Sequence, residues 1–346
     1  MFPTSILQGT YNVSGGNGVS GEFTGNFTFD ATSIIDQNIS GPSNSNWFVT
    51  ELSGNFYAIS SFNGYHGASA NGTTGWAQVG GSGAWNAQYS EPIVSFSNDS
   101  ILWCNGSVLY SFDGTTTSAI TTGKEGENFY SIHKDATYYY LKIASGIYRS
   151  TFLTTGWTSV YSGGSASYEG GLRFNDNVTF IFDKGYLWTS TNGGASFTRA
   201  FGGSSGLDYN PTNDYWMKMR WVTNGAASYS ISQDDGATWT TYIQIDQDGS
   251  GSQPIDRARE LKYIGGDKWL MLSDDNDTSL KGLYSVTSPK LTYDGFYQGW
   301  TKEFALTGAA RKMSIENYDT LFITELGTVI GSNVQTKIHK FDLERS

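Results

Sequence analysis

A turn carrying Asp or Asn, followed at once by a strongly β-prone run, recurs seven times in the 346 residues and constrains the fold more than any other feature. It reads Asn46-Trp-Phe-Val, Asp99-Ser-Ile-Leu-Trp, Asp135-Ala-Thr-Tyr-Tyr-Tyr and Asp176-Asn-Val-Thr-Phe-Ile-Phe, then Asp214-Tyr-Trp-Met, Asp267-Lys-Trp-Leu-Met-Leu and Asp319-Thr-Leu-Phe-Ile. Successive copies lie 53, 36, 41, 38, 53 and 52 residues apart. Periods of this length denote a repeat architecture, in which neighbouring units bury each other's apolar faces. An Asx side chain bonds the backbone two residues on, which suits a hairpin between the innermost and second strands of each unit. Gly-bearing turns such as Asn105-Gly106, Lys184-Gly185 and Asn224-Gly225 then lead from the second strand to the third.

A second unit falls later in the period. Ser232-Gln-Asp-Asp-Gly-Ala-Thr-Trp239 and Ser190-Thr-Asn-Gly-Gly-Ala-Ser-Phe197 share one pattern, with Asp or Asn to bond the turn, Gly for positive φ and an aromatic to pack. Worn copies are read at Ser111-Phe-Asp-Gly, from Ser150 to Trp157, and at Ser285 followed by Pro289. The motif resembles the Asp-box, or BNR, repeat of sialidase-like β-propellers, where it forms the hairpin between the third and fourth strands of a blade. Each period then supplies four antiparallel strands, the composition of a propeller blade.

Composition agrees with an all-β chain. Aromatic residues make up 15%, and 43 Gly accompany only 6 Pro. No segment sustains the apolar spacing of a long amphipathic helix. The expected fold is therefore a seven-bladed β-propeller of four-stranded antiparallel blades over residues 21–346, preceded by an N-terminal arm of residues 1–20. The last repeat runs out at a third strand, over residues 338–343. The alternating run over residues 21–30 is expected to supply the missing strand and close the last blade, which removes an exposed sheet edge.

The net charge of −11 disfavours nucleic acid as a partner. No apolar stretch reaches the length of a membrane span. The N-terminus lacks the basic and apolar regions of a signal peptide. The single cysteine, Cys104, cannot form an intrachain disulfide and reads as a buried structural thiol. His66, His133 and His339 show no zinc-ligand spacing.

In Asp-box propellers, chemistry takes place at a tunnel mouth where the innermost strands begin. Counting eight residues back from each turn Asx nominates Asn38, Glu91, Glu127, Tyr168, Arg259 and Arg311 as ligand-binding candidates. In the fifth repeat the insertion around Pro211 makes Asp208 the nearest position, and Glu169 and Glu260 lie one residue further along in theirs. This ring is acidic on one side and basic on the other, as suits a polar ligand such as a glycan. The resemblance also implies an arginine triad and an early Arg-Ile-Pro motif for a sialidase. Arg-Ile-Pro is absent and only eight arginines occur, so no catalytic residue is assigned. Asp246, Asp248 and Ser250 form a candidate calcium loop with oxygens at alternate positions, although the EF-hand glutamate is missing.

The expected function is a non-enzymatic structural or binding propeller. A low-Lys, Gly/Ser/Thr/Asn/Tyr-rich β-protein is similar to virion surface and tail-appendage proteins of tailed bacteriophages. Such proteins assemble in the host cytoplasm, contact other virion proteins as homo-oligomers or multicopy assemblies, and adhere to host-surface glycan. A sialidase-like glycoside hydrolase and a cellular assembly-factor propeller are the alternatives.

Overall fold

A computed structural model describes residues 23–35, 47–60, 66–78, 93–95 and 100–345, apart from residues 136, 164–169, 184, 203, 221–226, 247–254, 256, 276, 290, 292–297, 317–319 and 331–332. Its strands form seven small sheets.

Blade 1 contains β2 (Trp47–Leu52), β3 (Asn55–Ser60), β4 (His66–Ser69) and β5 (Ala77–Gln78). Blade 2 contains β6 (Ile93–Ser95), β7 (Ser100–Asn105), β8 (Val108–Phe112) and β9 (Thr117–Ile120). Blade 3 contains β10 (Phe129–Lys134), β11 (Tyr139–Ile143), β12 (Gly146–Ser150) and β13 (Thr158–Ser162). Blade 4 contains β14 (Gly170–Phe174), β15 (Thr179–Asp183), β16 (Tyr186–Ser190) and β17 (Thr198–Phe201). Blade 5 contains β18 (Gly206–Asn210), β19 (Tyr215–Arg220), β20 (Ser228–Ser232) and β21 (Ile243–Asp246). Blade 6 contains β22 (Ala258–Tyr263), β23 (Lys268–Ser273), β24 (Gly282–Thr287) and β26 (Thr301–Ala305). Blade 7 contains β27 (Ala309–Glu316), β28 (Thr320–Ile330) and β29 (Asn333–Arg345), with β1 (Phe23–Ile35) as its outermost strand. Pairing within each blade is antiparallel.

The first strand of every blade lies beside the first strand of the next, and the series closes from β27 back onto β2. The expected seven-bladed propeller is therefore present, with these strands as its inner ring. The closing strand is where the sequence put it. β1 pairs with β29, its amino end bridges Thr24 to Gly265 of blade 6, and Ser33 Oγ donates to the Thr73 carbonyl of blade 1 at 2.6 Å. One strand thus spans three blades across the seam where the chain's ends meet.

Three details correct the sequence reading. Asn46 lies outside the described residues, and the run after it is β2, the inner strand of blade 1 rather than its second strand. The equivalent hairpin is Leu52-Ser53-Gly54-Asn55, where Ser53 and Gly54 take positive φ and Asx chemistry is replaced by Glu51 accepting from the Gly54 amide. In blade 4 the turn-bonding residue is Asn175, whose Oδ1 accepts from the Asn177 and Val178 amides, and not Asp176. Blade 5 gains a fifth, parallel strand, β25 (Gln298–Gly299), because the long β24–β26 connection returns along β21 and seats buried Trp300 against Tyr229.

The Ser-to-aromatic octamers link third and fourth strands, as the pattern predicts. Asp234 Oδ1 accepts from Ser232 Oγ and the Thr238 amide, both at 2.8 Å, while Ser232 Oγ accepts from the Gly236 amide at 2.8 Å. Asn192 and Ser190 repeat the arrangement in blade 4. Blade 1 carries a copy that sequence inspection missed, from Ser69 to Trp76, in which Asn71 accepts from the Thr73 and Thr74 amides. The glycine also has a packing reason. A Cβ on Gly236, Gly194 or Gly72 would fall 2.5, 1.9 or 2.8 Å from Phe180, Tyr140 or Phe322, each on the second strand of the preceding blade. The hairpin of one blade is thereby pressed onto an aromatic of its neighbour, and this repeated contact couples the repeats.

Candidate functional site

Of the nominated ring, some residues lie outside the described chain, some join neighbouring blades, and others are bonded within their own blade. Asn38, Glu91, Tyr168 and Glu169 lie outside the described residues, as do Asp248 and Ser250 of the calcium candidate. Asp246 is the last residue of β21. Among the described residues no group of three or more His, Cys, Asp or Glu is placed to hold a metal ion. Glu127 precedes β10, is half-buried, and accepts from Ser145 Oγ of its own blade at 3.0 Å.

Asp208, on β18, is buried between three blades. Its Oδ1 lies 3.4 Å from Arg173 Nε on β14, and its Oδ2 accepts from the Tyr263 amide of β22 at 2.9 Å. Glu260 accepts from Lys312 Nζ at 2.8 Å and from the Met313 amide at 2.6 Å, joining blade 6 to blade 7. Lys312 reaches on to the ring of Phe48 in blade 1, 5.3 Å from its centroid. Arg259 donates two hydrogen bonds to Asp274 Oδ2, at 2.7 and 3.2 Å, and Asp274 Oδ1 accepts from the Ala310 amide beside Arg311. Among the described candidates, Asp208, Glu260 and Arg259 each lie beside an oppositely charged side chain. Eight-residue counting located the inner strands, but it did not predict that successive blades offer opposite charges to one another.

A further ion pair, unread in the sequence, joins blades 3 and 4. Lys142 Nζ on β11 lies 2.6 Å from Asp183 Oδ2 at the end of β15, both almost fully buried, with the Trp188 ring 4.5 Å from the ammonium. Asp183 also accepts from the Gly185 and Tyr186 amides, which completes its solvation by protein. Burial pulls the Lys142 ammonium below its usual range despite the neighbouring carboxylate. Arg149 lies on the third strand of blade 3 and Arg199 on the fourth strand of blade 4. Arg149 donates to the Gly193 carbonyl at 2.9 Å and covers Tyr138, while Arg199 covers Tyr186. Cys104 is buried in β7, and desolvation pushes its thiol far above the usual range.

What this arrangement can do chemically is brace the ring. The charged groups of the inner strands supply the directional contacts between blades that apolar packing alone does not, since a partnered buried charge fixes one geometry. Among the described residues, no helix is long and apolar enough to cross a membrane.

No protein-family model matches the chain, and no curated protein matches it in sequence. Solved structures match in shape. An ancestral GH74 enzyme superposes with a TM-score of 0.58 at 12% identity, covering 91% of this chain and 51% of that one. The GH74 enzyme of Niastella koreensis gives 0.52 at 12% identity, covering 81% of this chain and 50% of that one. The chain therefore spans about half the length of both. YCF48 from Cyanidioschyzon merolae gives 0.55 at 11% identity, covering 90% of this chain and 98% of that one. At these identities what is shared is the β-propeller fold, and the function rests on the site's own chemistry.

Proposed function

We propose that the chain is a non-catalytic structural and binding propeller, carried on the virion surface or tail appendage of a tailed bacteriophage and engaging a host-surface glycan. The observation that supports the non-catalytic part is the commitment of inner-strand charges to protein partners: Asp208 to Arg173 and Glu260 to Lys312 of neighbouring blades, and Arg259 to Asp274 of its own blade. A glycosidase needs two carboxyl groups facing one bond across a fixed gap. Asp208 and Glu260 each instead accept a backbone amide of the next blade. The Gly-rich, lysine-poor composition supports the virion setting. Many copies on one particle turn weak glycan contacts into firm attachment through avidity.

The test is binding of the purified, fluorescently labelled propeller to host cells, together with a panel of fluorogenic glycosides. Saturable binding that competes with phage adsorption, without turnover, is the expected result. Turnover of any glycoside lost in Asp208→Asn or Glu260→Gln would instead make this a hydrolase of the kind its GH74 neighbours are named for.

A further inference from the structure

Strand β19 sorts its side chains to two faces. Tyr215, Met217 and Met219 enter the apolar cluster shared with blade 6, whereas Trp216 packs with Phe180 and Leu187 of blade 4. Lys218 and Arg220 follow Trp216 at alternate positions and so share the face toward blade 4. That face grades from buried indole, through a nearly buried ammonium, to an exposed guanidinium. Lys218 Nζ stands 4.2 Å from the Trp239 ring centroid and 5.9 Å from that of Tyr242, and the Arg220 guanidinium stands 5.2 Å from Tyr242. Tyr242 in turn approaches blade 4 at Gly202.

The contrast with Lys142 is informative. Both lysines lie on second strands over a tryptophan, Lys142 facing the following blade at Trp188, and Lys218 facing the preceding blade beside Trp239 of its own hairpin. Lys142 is neutralised by Asp183. Lys218 and Arg220 have no carboxylate within ion-pairing distance among the described residues, although the protein carries eleven more acidic than basic side chains. Aromatic faces attract a cation but leave its charge uncompensated. Desolvation lowers the Lys218 ammonium to about 8.

We propose that the cationic and aromatic patch at the edge of blade 5 beside blade 4 is a binding subsite for a carboxylated sugar, whose carboxylate is taken by Lys218 and Arg220 and whose ring lies on Tyr242 and Trp239. Two cations on one wall match one carboxylate, and aromatic rings beside them match the apolar face of a pyranose. The subsite is separate from the inner-strand ring, and it deepens the glycan-binding reading on which it rests.

The experiment titrates the full chain with trigalacturonate and with 3′-sialyllactose, using intrinsic tryptophan fluorescence because Trp239 lies in the site. The trigalacturonate methyl ester, lactose and inorganic phosphate serve as controls. At least one carboxylated ligand is expected to bind at least tenfold more tightly than its neutral counterpart, and more tightly than phosphate. Lys218→Met and Arg220→Gln should each weaken that binding at least fivefold. Arg220 is exposed, so Arg220→Gln keeps the test open if Lys218→Met folds poorly. Equal affinity for neutral and carboxylated sugars, tighter binding of phosphate, or unchanged affinity in folded Arg220→Gln, would overturn the subsite. If wild type binds host cells and both variants bind them equally well, the subsite falls while the adhesion reading stands. If wild type binds neither cells nor any sugar, both fall.

Discussion

Thr32 Oγ1 and His339 Nδ1 lie 2.8 Å apart, joining the first strand of the protein to its last across 307 residues of chain. Behind this pair, His339 Nε2 lies 3.6 Å from the Glu325 carboxylate on β28, which Lys337 also meets at 3.0 Å. The amides of Thr307 and Gly308 donate to Glu325 as well, so the entry to β27 is tied to the same group. The seam of the ring is thus held by a polar cluster as well as by the Phe27–Phe341 and Phe29–Phe341 contacts.

Deleting residues 1–35 removes β1 with the Thr32–His339, Phe27–Phe341 and Phe29–Phe341 contacts and leaves β29 as a bare edge. Thermal unfolding followed by circular dichroism should show a melting temperature lower by 10 °C or more, together with aggregation through the unpaired edge. An unchanged melt would mean that the ring closes without β1.

Glu325 predicts an acid limit. Burial raises its carboxyl, but hydrogen bonds and charge from His339 and Lys337, with the Gly308 amide, outweigh burial and hold it at about 2. A folded value below the unfolded one contributes stability that is fully present above the unfolded carboxylate range. That stability is lost as pH falls through about 4.5 toward 2. Urea midpoints at pH 7 and pH 3 should therefore differ by less in Glu325→Gln than in wild type. At pH 7 the variant should be less stable by about 3 kcal/mol.

The Lys142–Asp183 pair predicts strong coupling. Lys142→Met leaves a buried carboxylate without its cation and should cost about 3–5 kcal/mol. Adding Asp183→Asn keeps an acceptor for the Gly185 and Tyr186 amides while removing the charge, and should recover at least half of that loss. Denaturant unfolding of the two single variants and the double variant measures the coupling.

Lys218 predicts the reverse. Its charged form is disfavoured by burial, so the folded protein binds its proton less tightly than the unfolded chain does. This penalty is greatest below pH 8 and fades between about 8 and 10.5, so stability should rise over that window. Lys218→Met should gain up to about 3 kcal/mol at pH 7 and flatten that rise. A loss of stability on this substitution would show that the ammonium is partnered in solution.

Some of this was legible in residue order because it is local chemistry. The number of blades follows from turns that a single Asx or Gly specifies, and the missing strand follows from counting strands to the chain's end. The third-to-fourth-strand hairpins were readable for the same reason, since Ser232 and Asp234 bond partners within six residues. Blade 1 was misread at Asn46 because its inner hairpin turns on Ser53 and Gly54, so the Asx signal was absent where it was needed.

The roles of the charged residues were decided only by tertiary structure. Asp208, Glu260 and Arg259 look alike in sequence, as polar residues near the start of a strand. Whether each faces a ligand or a partner depends on the register between blades, and that register brings together groups up to 55 residues apart. Lys142 and Lys218 make the same point from the other side. Both lie on second strands over a tryptophan, but Lys142 meets the Asp183 carboxylate of the next blade, whereas Lys218 meets only aromatic rings among the described residues. Sequence specified the repeat because a turn is made by neighbours in the chain. Structure specified the site because a charge is neutralised by whatever lies beside it in space.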